Sequence, residues 1–345
     1  MASRIPIWRI FLAVSAALWM CAVAPPIRAQ ESEAAFYKGK TVRLIVGYAG
    51  GGYDLYARLI APYIAQALGA TVVVVNQPGA GGITALDNLV VAPPDGLQMM
   101  IVNGAGAALG QLIGQPGVRY DLAKVGYLGT VSALLRVWLI TPNSPIKTPQ
   151  DAIDAHTRMM WAAGGPIDGL SDGAAFACAG LALDCHVVMG YPGSAEAALA
   201  VGKGEMDAIY IADTSANDIV KAAEARPVAT MGHRRSRLFP DTPTIFEALK
   251  LTPDQDWLFD FRATVDGLGR ILVVPPNLPP ARLAYLQAAV KKALSDPALI
   301  AEGERTQSYI DYVDAEPTRE EALKVVEAIT AEQRERVKEI LSKSE

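Results

Sequence analysis

Short runs of β-branched and aliphatic residues alternate along this chain with stretches of helical periodicity, and glycine collects at the joints. Residues 41–46 read as a buried strand and residues 47–52 as a glycine loop. A helix is expected over residues 54–68, because Leu55, Leu59, Ile60, Tyr63, Ile64 and Leu68 fall on one face. Residues 71–75 form a second strand, so rich in valine that a central position covered on both faces is expected. A loop at 76–82, a helix over 83–91, a strand over 98–102 and a loop at 103–106 follow. Strand, glycine loop and helix in repetition are the mark of a parallel α/β layer.

The pattern repeats after Pro142. Residues 137–140 read as a strand, and Thr148 with Pro149 opens a helix with a cap and a proline in its first turn. Strands at 159–163, 186–189 and 207–211 each run into a short polar or glycine loop. Residues 228–231 are read as returning to the first unit, followed by a strand at 271–274 and helices over 280–294 and from 318 to about 343. The fold class is therefore α/β with two lobes, the second inserted in the first. Lobe 1 is expected to hold residues 36–138 and 229–345, and lobe 2 residues 139–228. Open α/β sheets bind ligands beyond the carboxyl ends of their strands, which is where these glycine loops lie.

The first residues decide the compartment. Arg4 and Arg9 precede an apolar run over 10–23, and Pro25 and Pro26 lead to the small Ala29. This is the layout of a signal peptide, residues 1–29, cleaved near Ala29, and it predicts a periplasmic protein. The run spans about 14 residues, short of the roughly 20 needed for a membrane anchor. Met20 before Cys21 does not suit lipid attachment. Without Arg4, Arg9 and Arg28, the 31 basic residues fall to 28 against 36 acidic ones, a net charge of about −8. That balance argues against a nucleic-acid partner. Cys178 and Cys185 are the cysteines left, and they are either a disulfide closing a small loop or two buried thiols.

Three loops carry the candidate chemistry. In Tyr48-Ala49-Gly50-Gly51-Gly52-Tyr53-Asp54 the glycines let backbone amides converge, and the following helix adds the positive end of its dipole. Asp54 is read as the cap of that helix. Asn76-Gln77-Pro78-Gly79-Ala80-Gly81-Gly82 is a second such loop, with Asn76 fixing the turn, and Tyr191-Pro192-Gly193-Ser194 is a third. These predict an anion site. The expected ligand-binding residues are Tyr48, Gly50, Gly51, Gly52, Asn103, Gly165, Tyr191, Gly193, Ser194 and Asp213. Asp213 either faces the cleft or caps a helix that begins near Ser215. Arg136 either pairs with a carboxylate or is an exposed loop charge.

His156, His186 and His233 fall in no metal or nucleophile spacing, and the first glycine loop does not fit a dinucleotide fingerprint. No catalytic residue, metal or cofactor is expected, and the chain is not read as an enzyme.

The segment Ala49-Gly50-Gly51 through Asp54, Ala57, Arg58 and Leu59 resembles the opening motif of the tripartite tricarboxylate transporter receptors, the Bug-type binding proteins. The same holds for Val75 to Gly82, Ala92-Pro93-Pro94-Asp95-Gly96, Gly190 to Ala195, and Arg235 to Thr244. The resemblance implies a Venus-flytrap periplasmic-binding-protein fold. It implies capture of a small organic anion, a carboxylate, for delivery to membrane permease subunits. It implies ligand oxygens held by amides near Gly50 to Gly52 and at Gly193 and Ser194. From the residues themselves, three helix N-termini aimed at one cleft favour carboxylates at both ends of the ligand, and Tyr48, Tyr53 and Tyr191 favour an aromatic acid. Capture by lobe closure in a monomer is expected. Val46 and Tyr48 stand where that first motif is commonly proline-rich, and Trp161 to Pro166 replaces a serine–glycine loop. A sensing subunit for a membrane signalling receptor is the alternative, and an exported α/β enzyme the second alternative.

Overall fold

Along β1 (Thr41–Val46), Val42, Leu44 and Val46 enter one hydrophobic core while Ile45 enters the opposite one. This two-residue alternation places the strand inside a sheet covered on both sides. The computed structural model describes residues 32–165, 168–222 and 224–342. The expected signal peptide lies outside these residues.

The first sheet has the order β2 (Thr71–Asn76), β1, β3 (Gln98–Asn103), β10 (Arg270–Val274), β4 (Gly126–Ser132). β1 runs parallel to β2 and β3, and β10 runs antiparallel to β3 and β4. On one face lie α1 (Glu33–Tyr37), α2 (Gly52–Leu68) and α11 (Pro280–Leu294), which bring Tyr37, Ile60, Ile64, Leu286 and Val290 into the core. On the other face lie α3 (Ile83–Val90), α4 (Gly104–Ile113) and α13 (Ala315–Val326).

The second sheet has the order β7 (Cys185–Val188), β6 (Met159–Ala162), β8 (Ala208–Ala212), β5 (Arg136–Ile140), β9 (Arg226–Thr230). β6 is parallel to β7 and β8, and β5 is antiparallel to β8 and β9. In β5 and β8, Val137, Leu139, Ile209 and Ile211 face one core, and Trp138, Ile140 and Tyr210 face the other. Helices α5 (Pro149–Ala155), α6 (Ser171–Leu181), α7 (Ser194–Gly202) and α8 (Asp213–Lys221) belong to this lobe. Thr148 and Asp151 close the capping box expected at the start of α5.

The chain passes from the first sheet to the second through Ala133–Leu135 and returns between Thr230 and Arg270. The return carries α9 (Ile245–Ala248) and α10 (Pro253–Gly267). The expected lobe boundaries fall inside β5 and β9, yet both strands pair wholly within the second sheet. Helix α10 packs against α6 of the second lobe and α4 of the first, with the Phe176 and Phe261 rings stacked 6.0 Å apart. α12 (Pro297–Thr306) and α14 (Ala331–Ser342) complete the chain, so the expected last helix is divided between α13 and α14.

Two further expectations are corrected. β2 is an edge strand, not a central one: Val72 and Val74 pack inward, and Val73 is exposed. Its valines report a half-buried pleated surface, which does not specify position in the sheet. Residues 103–106 are not a loop. Asn103 Oδ1 accepts from the Gly106 amide at 3.2 Å and caps α4. A disulfide joins Cys178 to Cys185, with α-carbons 6.1 Å apart. No described helix is long and apolar enough to cross a membrane.

Candidate functional site

The loops after β1 and β2 touch each other closely. A β-carbon on Gly47 would stand 2.5 Å from the Gly82 α-carbon, and Gly82 has a φ of +96°. Only glycine meets both demands. Tyr48 ties the same two loops together, its hydroxyl donating to the Gly81 carbonyl at 2.7 Å. That hydroxyl also receives the Asn103 side-chain amide at 3.3 Å. Tyr48 and Asn103 therefore face the cleft with their polar groups already engaged.

Asp54 does not cap its own helix. Gly51 occupies the cap position of α2 without a side-chain bond. Asp54 instead receives the Arg58 guanidinium through two bonds of 2.9 Å and the Asn76 amide at 2.8 Å. Asn76 also donates to the Tyr48 carbonyl at 2.8 Å. The hydrogen bonds from Arg58 and Asn76 hold the Asp54 carboxyl below its ordinary range. The motif acidic residue thus clamps the two loops together.

Between the lobes lies a cavity of about 620 Å³. Of the expected residues it is lined by Tyr48, Gly52, Asn103, Tyr191, Gly193 and Ser194. Gly50, Gly51, Gly165 and Asp213 are not on its wall. The Gly165 amide donates to Asp168 Oδ2 at 2.7 Å. Asp168 Oδ1 receives the amides of Leu170 and Ser171 at 2.7 and 2.8 Å. That carboxylate is thereby spent on closing its own loop. Asp213 is the first residue of α8, lines a separate small cavity, and accepts from Ser236 Oγ and the Thr214 amide, each at 2.7 Å. Burial raises its pKa.

The N-termini of α3 and α7 both reach this cavity. Their cap residues, Gly82 and Gly193, make no side-chain capping bond. The first amides of each helix therefore lack a side-chain acceptor from the cap. Ser194 opens α7 beside them.

Two arginines, one from each sheet, complete the wall. Arg136 begins β5 and is 8% exposed; Arg270 begins β10 and is 7% exposed. Arg136 is therefore not an exposed loop charge. Its Nε lies 3.5 Å from Asp266 Oδ1, an ion pair without a hydrogen bond. Asp266 is chiefly engaged elsewhere, accepting from Arg262 at 2.6 and 3.0 Å and from the Tyr210 hydroxyl at 2.5 Å. Arg270 lies over the Tyr56 and Tyr53 rings at 4.0 and 5.3 Å, and its Nη1 donates to Ser132 Oγ at 3.1 Å. Tyr53 in turn stacks on Tyr48 at 4.9 Å.

Arg270 was not among the residues expected from sequence. The available signal was a lone charge after Gly269, opening an otherwise aliphatic strand. Among the described residues, no group of three or more His, Cys, Asp or Glu is placed to hold a metal ion.

Two α/β lobes facing each other across such a cleft form the two-lobed fold of periplasmic binding proteins. Residues 56–344 match the tripartite tricarboxylate transporter family receptor, and the chain belongs to that family. A UPF0065 protein of Cupriavidus necator is 28% identical over 302 residues, covering 83% of this chain and 82% of its own. MatC of Rhodopseudomonas palustris, solved with bound malate, superposes with a TM-score of 0.62 at 23% identity, over 88% of this chain and 97% of its own. An R. palustris protein solved with adipate gives a TM-score of 0.67 at 16% identity, over the same 88% and 97%.

Proposed function

We propose that this chain is an extracytoplasmic receptor that captures a small carboxylate by lobe closure and delivers it to a membrane permease of the tripartite tricarboxylate type. The observation that carries the reading is the interlobe cavity, where side-chain-uncapped helix N-termini and two buried guanidiniums meet. Donors fixed in place before the ligand arrives suit an anion. The malate- and adipate-bound structures supply precedent for carboxylates in this fold. Loops from both lobes line the cavity, so a ligand seated there stabilises the closed form over the open one.

The test is a thermal-shift and calorimetric screen of the protein from Gln30 onward against small mono-, di- and tricarboxylates, aromatic acids included. A melting temperature that rises with ligand concentration supports the reading. No response to any acid overturns it.

A further inference from the structure

The carboxylates at and behind the cavity wall already have their hydrogen-bond partners. Asp168 is held by three backbone amides, and Asp266 by Arg262 and Tyr210. Arg270 makes no ion pair with any described residue, and its single side-chain bond goes to the neutral Ser132. Nε of both Arg136 and Arg270 is buried without a hydrogen-bond partner. Nη1 and Nη2 of Arg136, and Nη2 of Arg270, likewise have none among the described residues, while both side chains line the cavity. Both guanidiniums belong to the wall of one cavity, with Arg270 over the ring of Tyr53, which lines the same space.

A buried guanidinium left unpaired is costly. Here Arg270 has no ion pair with any described residue, and Arg136 has only its 3.5 Å approach to Asp266 without a hydrogen bond. Both residues, 7% and 8% exposed, open onto one cavity. We propose that Arg270 and Arg136 form a clasp that holds a single anionic group of the ligand directly, one guanidinium from each lobe. The proposal rests on the receptor reading above and adds to it the residues that discriminate. Such a clasp selects a fully ionised carboxylate over its amide or ester, because a neutral group leaves Arg270 without a counter-charge and Arg136 with only the Asp266 carboxylate that it shares with Arg262. It also couples capture to closure, since the same anionic group touches both sheets. The aromatic backing on Arg270 holds its fork in place.

The experiment is isothermal titration of malate, adipate and the acids that score in the screen into wild type, Arg136→Met, Arg270→Met, both Lys variants and the double Met variant. Each Met variant is expected to lose between about ten- and a hundredfold in affinity, as the loss of charge-assisted bonds requires. Each Lys variant, which keeps the charge but not the fork, should lose several-fold. The double variant should lose far less than the product of the single losses, because both act on one group.

Circular dichroism of each unliganded variant checks folding. If a Met variant is unfolded, its Lys partner decides the matter. Variants that bind within twofold of wild type overturn the clasp while leaving the receptor reading intact. Losses that multiply overturn the shared anionic group. A wild type that binds no acid overturns the receptor reading itself, and the clasp with it.

Discussion

The Nη2 atom of Arg270 lies 3.2 Å from where a β-carbon on Gly52 would stand. Arg136 is seated in the same way on Gly169 in the other lobe. Gly52 is the first residue of α2 and has no positive φ, so alanine fits its backbone. A Gly52→Ala variant is expected to keep its melting temperature within a few degrees and to bind its acid several-fold more weakly, by displacing the Arg270 fork. Calorimetric titration beside a thermal melt measures both. Unchanged affinity would mean that the fork's position does not matter to the ligand.

Ser194 offers a hydroxyl at the start of α7. Ser194→Ala should cost about 1 kcal/mol of binding, roughly fivefold in affinity, if that hydroxyl makes one net hydrogen bond to the ligand. No loss on titration would leave the contact to the backbone amide.

Asp172 titrates from inside the protein. Burial, chiefly, pushes its pKa from 3.8 to about 7, with Arg262 opposing the rise, and Oδ1 has no hydrogen-bond partner. The folded chain therefore keeps a proton that the unfolded chain loses near 3.8. Stability from this group is fully present below that value, falls as pH rises toward about 7, and is level above. Asp172→Asn is neutral throughout and should remove the fall. The variant's melting temperature relative to wild type is expected to be higher at pH 8 than at pH 4, and an equal difference at both would discount the group.

The disulfide lies away from the cleft, since Cys185 begins β7 and the loop facing the cavity follows that strand's other end. Replacing Cys178 and Cys185 together by alanine should reduce unfolding free energy by about 2 kcal/mol, as expected for a short closed loop. Ligand affinity should stay unchanged. Urea denaturation and titration of the same sample test the two halves, and a loss of affinity would tie the bridge to the site.

What the sequence made legible was local. The β-branched runs, the glycine loops and the Thr148 cap depend on neighbours within a few residues, and each element stands close to where its pattern placed it. β4 was not legible, because Gly126 and Gly129 interrupt its pattern. Nor was α4, whose opening Gly104-Ala105-Gly106 reads as a loop until Asn103 is seen to cap it. Sheet order was hidden for β2, since valine content does not report an edge. Six of the ten expected residues line the cavity, three from each lobe, because loops at strand ends are placed there by topology. Arg270 could not be found the same way. Its seat is built by Ser132, Tyr53 and Gly52, more than a hundred residues away in the chain, and no periodicity records that meeting.

The contact between Gly47 and Gly82 has a consequence for how the cleft works. With the Tyr48 hydroxyl and the Asn76 amide riveting the same two loops, the first-lobe half of the pocket is a finished mould before any solute arrives. Its ordering cost is met once, during folding, and not at every encounter. Adjustment to differently shaped guests then falls to the opposite jaw, with Tyr191, Pro192, Gly193 and Ser194, so changes of diet in this lineage of receptors should be written there first.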